Sequence, residues 1–362
     1  MMRLTTRLDR YIIKKFLGTF VYSIIIIISI SIVFDFSEHL DDFIDKHAPF
    51  KAIMVDYYLN FIPYFVNLFT PLFVFISVIF FTSKLAQQSE IIAMLSSGIS
   101  FKRLMYPYFI GALMIALFNL VSGNFWIPYA TQNKLNFEER YIRNAYHNND
   151  LNIHRQIEPG LFVYLENYAV ESDIAYRFSM ERFQNKELKS KIFCDYAQWD
   201  TTKQQWRLYN CYVRTYFENR EEMKHYPTID TSINLRPEEF KRRVESVEAM
   251  NYFRLNEFIA QKRLEGDERI VDYEVTRLKR FINPISIFIL TLIAVSVSSR
   301  KVRGGIGMHL GLGLGLSFTY ILFMQISTYM AIGGSLPAWL GVSLPTIVFA
   351  GIALLLYAKV QK

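Results

Sequence analysis

A chain of 362 residues would fold in water as two or three domains, but this one is 52% hydrophobic and 16% aromatic, with apolar runs too long for ordinary core helices. That composition excludes a soluble protein, and the net charge of +7 is spread in blocks that follow those runs. Nucleic acid is therefore not an expected partner.

Crossing the hydrocarbon takes about 20 apolar residues, and six segments approach that length: 16–36, 57–83, 104–126, 281–299, 306–332 and 338–358. The fold class is a polytopic α-helical membrane protein with six transmembrane helices. The amino end carries Arg3, Arg7, Arg10, Lys14 and Lys15 against Asp9. The loop after the first span carries Asp35, Glu38, Asp41, Asp42, Asp45 and Asp56 against Lys46 and Lys51. Lys84, Lys102 and Arg103 flank the next loop, Arg300, Lys301 and Arg303 a later one, and Lys359 and Lys362 the end. Basic residues favour the cytoplasmic side, so six spans with both termini in the cytoplasm satisfy every loop.

In chain order, residues 3–15 form a basic amphipathic lead-in. The first span contains IIIIISISI at 24–32, which in lipid forms a helix because the backbone must satisfy itself. This span is too long for a signal-peptide core and has no small-residue cleavage site after it. Pro63 and Pro71 invite kinks in the second span. The polar stretch KLAQQSEIIAMLSSGISFKR at 84–103 follows, with apolar positions Leu85, Ile91, Ile92, Met94 and Leu95 on one helical side. Gly98 is a natural stop and Ser100 a natural cap for the next helix, giving a helix over 84–98. Such a helix either lies on the bilayer or seats in another protein. The third span leaves through Trp126, Pro128 and Tyr129.

Residues 127–265 are polar, tyrosine-rich and alternate with period two. Strands are predicted at 160–170, 173–184, 189–199, 204–217 and 226–234, as an antiparallel sandwich or jellyroll-like domain. A turn centred on Thr202 and Lys203 places Trp199 opposite Trp206 and Cys194 opposite Cys211. That pair forms a disulfide in an oxidising compartment, or stays as two reduced cysteines in a packed face. From Pro237 the chain is helical again to Gly266. A further helix from Asp267 carries Arg277, Lys279 and Arg280 into the fourth span. This basic cluster would sit at the outer boundary, against the charge rule, where it meets anionic groups or snorkels. In the fifth span Gly307, Gly311 and Gly315 are spaced by four, beside Gly304, Gly305 and Gly313. This is a smooth stripe that lets helices approach closely. The sixth span begins near Pro337 and Trp339 and contains Pro345. The domains are thus 1–126, 127–265 and 266–362.

No Gly-Lys-Ser/Thr follows the glycine run, and there is no zinc-type ligand spacing or Gly-x-Ser-x-Gly elbow. His39, His47, His147, His154, His225 and His309 are scattered, and no predicted span holds paired carboxylates. No metal, no cofactor bound by this chain and no catalysis by it are expected.

Three spans, a large β domain and three more spans, with a polar helix between the second and third, resemble the LptF/LptG (YjgP/YjgQ) permeases of lipopolysaccharide export. The resemblance covers essentially the whole chain. It rests on SEIIAMLSSGIS at 89–100, PEEF at 237–240 and INPISIFILTLIAVSVSSRKVRGG at 282–305. It implies a heterodimer with a paralogous permease subunit in the bacterial inner membrane, driven by the cytoplasmic ATPase LptB, which uses ATP and Mg. It further implies that the helix between spans two and three seats in that ATPase, which assigns Ser89, Glu90, Ile91, Met94, Leu95 and Gly98, with Glu90 contributing to coupling. Spans one and five would line a lateral gate and lipid path, here Phe34, Asp35, Glu38, Gly307, Gly311, Gly315 and Phe318. The β domain would be periplasmic and pass lipopolysaccharide through LptC to a periplasmic bridge protein. Enterobacterial members carry basic residues where this chain reads FDFSEHLDD, so headgroup contacts fall instead to Lys46, Arg277, Lys279 and Arg280 or to the partner subunit, or else the headgroup carries less negative charge or is bridged by a divalent cation. The competing expectations are a mechanotransmission-type subunit that moves no lipid itself, and a membrane scaffold.

Overall fold

The structure, a computed structural model, describes residues 6–142, 151–217, 220–240, 247–267, 269–300 and 305–360. The chain divides into two compact units, one of residues 1–142, 248–252 and 271–362, the other of 143–247 and 253–270. Arg3, Lys301, Arg303, Gly304 and Lys362 of the sequence reading, and His147, lie outside the described residues.

The first unit is helical. It opens with α1 (Arg7–Glu38), α2 (Leu40–Asp45) and α3 (Phe50–Ala52), and a π-helical stretch at Ile53–Tyr58 feeds α4 (Leu59–Gln87). Then come α5 (Glu90–Ser96), α6 (Phe101–Val121), a second π-helical stretch at Ser122–Trp126, and α7 (Ile127–Tyr141). After the β strands this unit is completed by α10 (Ile270–Ser298), α11 (Gly305–Ile332) and α12 (Ala338–Val360), while α8 (Pro237–Phe240) and nearly all of α9 (Tyr252–Glu265) belong to the second unit. Six of these helical runs are long and apolar enough to cross a membrane, matching the predicted spans.

Packing explains the arrangement. Helix α1 buries every fourth residue, Ile12, Phe16, Phe20, Ile24 and Ile28, as one narrow row. Phe16 stacks on Phe81 of α4 at 5.9 Å, and Phe81 on Tyr108 of α6 at 5.3 Å. Gly111 makes room for that stack, since a Cβ there would lie 2.4 Å from Phe16 Cδ1. Inside it the Thr82 and Tyr108 hydroxyls share a buried hydrogen bond of 3.1 Å. In lipid such contacts hold helices by close packing and hydrogen bonding, because lipid tails are as apolar as the side chains. Helix α4 packs against both α1 and α11.

The boundary expected at residue 126 is corrected. The chain stays helical through Tyr141 because Ile127, Thr131, Leu135 and Glu138 recur at helical spacing and are buried. Phe137 on the same helix stacks on Tyr57 at 5.2 Å and meets Phe43 edge-on at 6.0 Å, so residues 127–141 belong to the helical unit.

The second unit is an eight-stranded antiparallel sheet: β1 (Ile153–Glu158), β2 (Leu161–Leu165), β3 (Asn167–Ala169), β4 (Ile174–Tyr176), β5 (Ser179–Gln184), β6 (Glu187–Asp200), β7 (Gln205–Tyr216) and β8 (Glu221–Thr231). Strand β6 is long enough to pair with both β5 and β4 along one edge and with β7 along the other. The predicted strands at 160–170 and 173–184 each split in two, the second at Arg177, whose φ of +47° interrupts extended backbone. Strand β1 was not predicted. The buried face gathers Leu165, Tyr168, Trp206 and Leu208. Phe240 of α8 stacks on Tyr168 at 4.5 Å, and Trp206 Nε1 donates to the Leu235 carbonyl at 2.7 Å.

The β6–β7 hairpin has the predicted register, Trp199 opposite Trp206 and Cys194 opposite Cys211. The Asp200 carboxylate accepts from the backbone N–H groups of Thr202 and Lys203 at 3.0 and 3.1 Å, fixing the turn. The two cysteines are joined as a disulfide with Cα atoms 4.2 Å apart. Alkylation of the folded protein should leave both unlabelled until reductant is added, and labelling without reductant would show them free. With the cysteines 17 positions apart, the Cys194→Ala, Cys211→Ala variant should lose about 3 kcal/mol of β-unit stability, read by denaturant unfolding.

Candidate functional site

The stretch between α4 and α6 is built differently from the predicted helix over 84–98. Residues 84–87 complete α4, and Ser89 turns the chain in the left-handed region at φ +62°. Only then does α5 begin, at Glu90. Its end is as expected: Gly98 at φ +89° needs a residue without Cβ strain. The Ser100 side chain accepts from Arg103 N–H at 3.3 Å and caps α6. Ile91 is 1% exposed and packs into the helical core, with Met94 half-buried beside it. Ile92 and Leu95 stand out at 48% and 38% exposure. These two aliphatic side chains are therefore not part of this chain's core.

Helix α1 holds the start of α5 and the first turn of α6. Tyr11 Oη donates to Glu90 Oε2 at 3.1 Å. Arg103 donates Nη1 and Nη2 to the two Asp9 oxygens, each at 2.7 Å. Asp9 is 1% exposed and belongs to a capping box, accepting from Thr6 N–H at 2.7 Å while the Thr6 hydroxyl accepts from Asp9 N–H at 3.3 Å. A bidentate guanidinium–carboxylate pair fixes direction as well as distance. The sequence reading counted Asp9 only as the acidic residue set against the basic amino end. The signal it passed over was Thr6-x-x-Asp9, a capping pattern at the head of an apolar run.

At the other end of α1 the acidic residues separate by role. Asp35 accepts from the Tyr57 and Tyr58 hydroxyls at 3.0 and 3.1 Å, so it ties α1 to the start of α4. Glu38 is exposed and Phe34 is 72% exposed. Lys46 Nζ donates to the Ile142 carbonyl at 3.1 Å, at the end of α7. Arg277, Lys279 and Arg280 are half-buried on α10, where Arg280 Nη2 donates to the Glu248 carbonyl at 3.2 Å.

The glycine stripe faces outward. A Cβ on Gly307, Gly311 or Gly315 would meet nothing within 4 Å, whereas one on Gly313 would lie 2.3 Å from Ile79 Cδ1 of α4. Phe318, one turn on from Gly315, is 56% exposed. Helices α1 and α11 are the least covered of the spans: 22% of the apolar window is buried in each, against 50–56% in α4, α6 and α10. An apolar helix left open inside a folded chain faces either lipid or a second protein. Among the described residues no group of His, Cys, Asp and Glu is placed to hold a metal.

The sequence profile described as "Lipopolysaccharide export system permease LptF/LptG" matches residues 10–359. Similar proteins include the lipopolysaccharide export system permease protein LptG of Escherichia coli strain K12 and that of Escherichia coli O6:H1 strain CFT073. Each is 21% identical over 363 residues, covering 97% of this chain and 98% of the relative.

Proposed function

The chain belongs to the lipopolysaccharide export system permease LptF/LptG family, and from that premise we propose that it is a permease subunit of an ABC transporter that extracts lipopolysaccharide from the inner membrane. A separate cytoplasmic ATPase of the LptB kind seats α5 and supplies the work, using ATP and Mg, and this chain catalyses no reaction itself. A paralogous permease subunit completes the lipid path against α1 and α11. The β unit, on the periplasmic side, passes the lipid towards LptC and a periplasmic bridge. Both termini lie in the cytoplasm, in keeping with the basic loops on that side.

One observation carries the reading. Helix α1 is both the element gripped at Asp9 and Tyr11 by the α5 connector and one of the two uncovered flanks. A displacement of α5 by a bound ATPase therefore acts directly on a gate helix. Rigid secondary elements are among the carriers of coupling between distant sites, and α1 runs from one of these ends to the other.

A photoreactive residue at position 318 tests it. In growing cells it should capture lipopolysaccharide, and Gly311→Leu should cut that capture at least fivefold at unchanged protein level, because among the described residues nothing lies within 4 Å of a Cβ there and the new side chain projects from the open flank. Absence of any lipid adduct from positions 34 and 318 would point instead to a subunit that transmits motion without passing lipid.

A further inference from the structure

We propose that the outward face of the β unit carries a binding site for neutral sugar, and that the oligosaccharide of lipopolysaccharide occupies it. The choice of that oligosaccharide rests on the export reading above; the site itself rests on the sheet. It lies where β6 and β7 kink together. Cys194 and Cys211 face the core, and so do Ala197 and Leu208, all at 0% exposure. Between these inward pairs each strand carries two successive residues that are not buried, Asp195 and Tyr196 on β6 and Tyr209 and Asn210 on β7. Asn210 permits this with φ +52°, a left-handed conformation that is unfavourable in mid-strand. Asp195 and Asn210 drop out of the ladder, which passes from Cys194–Cys211 directly to Tyr196–Tyr209.

The kink gathers aromatic rings around a polar centre. On one side Tyr196 stacks on Tyr209 at 4.6 Å, with the planes 17° apart. On the other, Phe193 stands opposite Tyr212, at 43% and 37% exposure, and the His225 ring lies 4.8 Å from that of Tyr212. Asn210 Nδ2 donates to Asp195 Oδ2 at 2.5 Å, which makes His225 Nε2 the donor to Asn210 Oδ1 at 2.8 Å and fixes the amide. Among the described residues that leaves Asp195 Oδ1 as an open acceptor and the second Asn210 N–H as an open donor, on adjoining exposed groups.

These groups suit a sugar. An aromatic face is electron-rich, so it attracts the polarised C–H groups of a pyranose ring, and an acceptor beside a donor meets two neighbouring hydroxyls. Cross-strand pairing accounts for the stacked rings, but not for a carboxylate and an amide turned outward at an unfavourable φ. Charge speaks against phosphate. The flanking arginines are already matched, Arg177 with Glu166, Arg207 with Asp230 and Arg214 with Glu221. Among the described residues the charge without a counter-ion in the cluster is the Asp195 carboxylate, which repels an anion and accepts from hydroxyls. The pairing register carries the outward row on from Phe193 through Ser179 to Tyr164 and His154, whose rings lie 4.8 Å apart. A row of that length suits a chain of sugars rather than one ring.

The full chain, purified in a zwitterionic detergent that contains no sugar, tests this. It is titrated calorimetrically with lipid-free lipopolysaccharide oligosaccharide from which the phosphates have been removed. The expected result is saturable binding that excess inorganic phosphate does not displace. Tyr212→Ala should raise the half-saturating concentration roughly five- to tenfold, while Tyr212→Phe, which keeps the ring, stays within about twofold of the wild type. Asp195→Asn should raise it about threefold, by weakening a charge-assisted bond to a hydroxyl. Protection of Cys194 and Cys211 from alkylation without reductant shows that the hairpin of each variant is folded. No saturable binding, binding that needs the phosphates, or one affinity shared by all the variants overturns the proposal; an aromatic face that meets only protein would give the first of these. Capture at position 318 is read separately. Oligosaccharide binding without that capture keeps this site and removes the lipid path, and capture without oligosaccharide binding removes this site alone.

Discussion

Arg103→Ala should destabilise the helical unit by about 3 kcal/mol or more, and Asp9→Ala by clearly less. The two residues form one ion pair, but the burial is lopsided: the Asp9 side chain is 1% exposed and that of Arg103 41%. Removing Arg103 strands a carboxylate away from water, the situation in which breaking a buried pair costs about 3–5 kcal/mol. The Thr6 N–H and hydroxyl still reach Asp9, which holds the loss to the lower end. Removing Asp9 instead frees a guanidinium that is already part-solvated and lies over the Tyr106 ring at 5.2 Å. What goes then is the cap on α1, about 1 kcal/mol, and a partly screened attraction. Unfolding midpoints of the detergent-purified variants give the order, and the double variant should match Asp9→Ala rather than the sum. Equal losses from the two single changes would mean that the pair is solvated.

Glu90→Lys should abolish recovery of the partner ATPase with the purified chain and reduce export at least tenfold, while insertion into the membrane is unchanged. Glu90 opens α5, where a negative charge suits the helix N-terminus, and its carboxylate is the acceptor for Tyr11. Lysine reverses the first and removes the second. Tyr11→Phe separates the two contributions. It deletes the internal bond and leaves the outward charge, so the ATPase should still be recovered and export should fall only about two- to threefold. If Glu90→Lys keeps the ATPase at wild-type level, α5 is not its seat. If Tyr11→Phe is as severe as Glu90→Lys, the grip on α1 matters more than any contact with a partner.

Apolar run length made the six spans legible, because in lipid the backbone has no choice but helix. The hairpin register was legible too, since the turn over Thr202 and Lys203 puts Trp199 opposite Trp206 and Cys194 opposite Cys211. That Trp206 and Cys211 are both buried was not, because five positions separate them and strict alternation, broken here at Asn210 with φ +52°, would put them on opposite faces. The α5 connector was legible in place but not in shape. A positive φ at Ser89 comes from how α4 and α5 pack, and serine carries no signal for it. The continuation of α7 past Trp126 was missed because its partners, Tyr57 and Phe43, lie far off in sequence. Asp9 is the instructive case. Its pairing with Arg103 spans 94 positions, and charge counting had set both residues down as topology markers, with no way to match them.

The contact of α11 on α4 bears on how the chain is made. Gly313 meets Ile79 across more than two hundred residues, and an entire β sheet is synthesised between them. Until α11 inserts, α4 waits in the bilayer with that flank covered by lipid alone, while α1 and α6 are already in place behind it. Closure of this late, non-local contact is a slow event for entropic reasons. The smallness of residue 313 keeps the arriving helix from having to push Ile79 aside. A nascent chain paused after the β unit is therefore a half-bundle whose bare flank invites membrane chaperones or wrong helices.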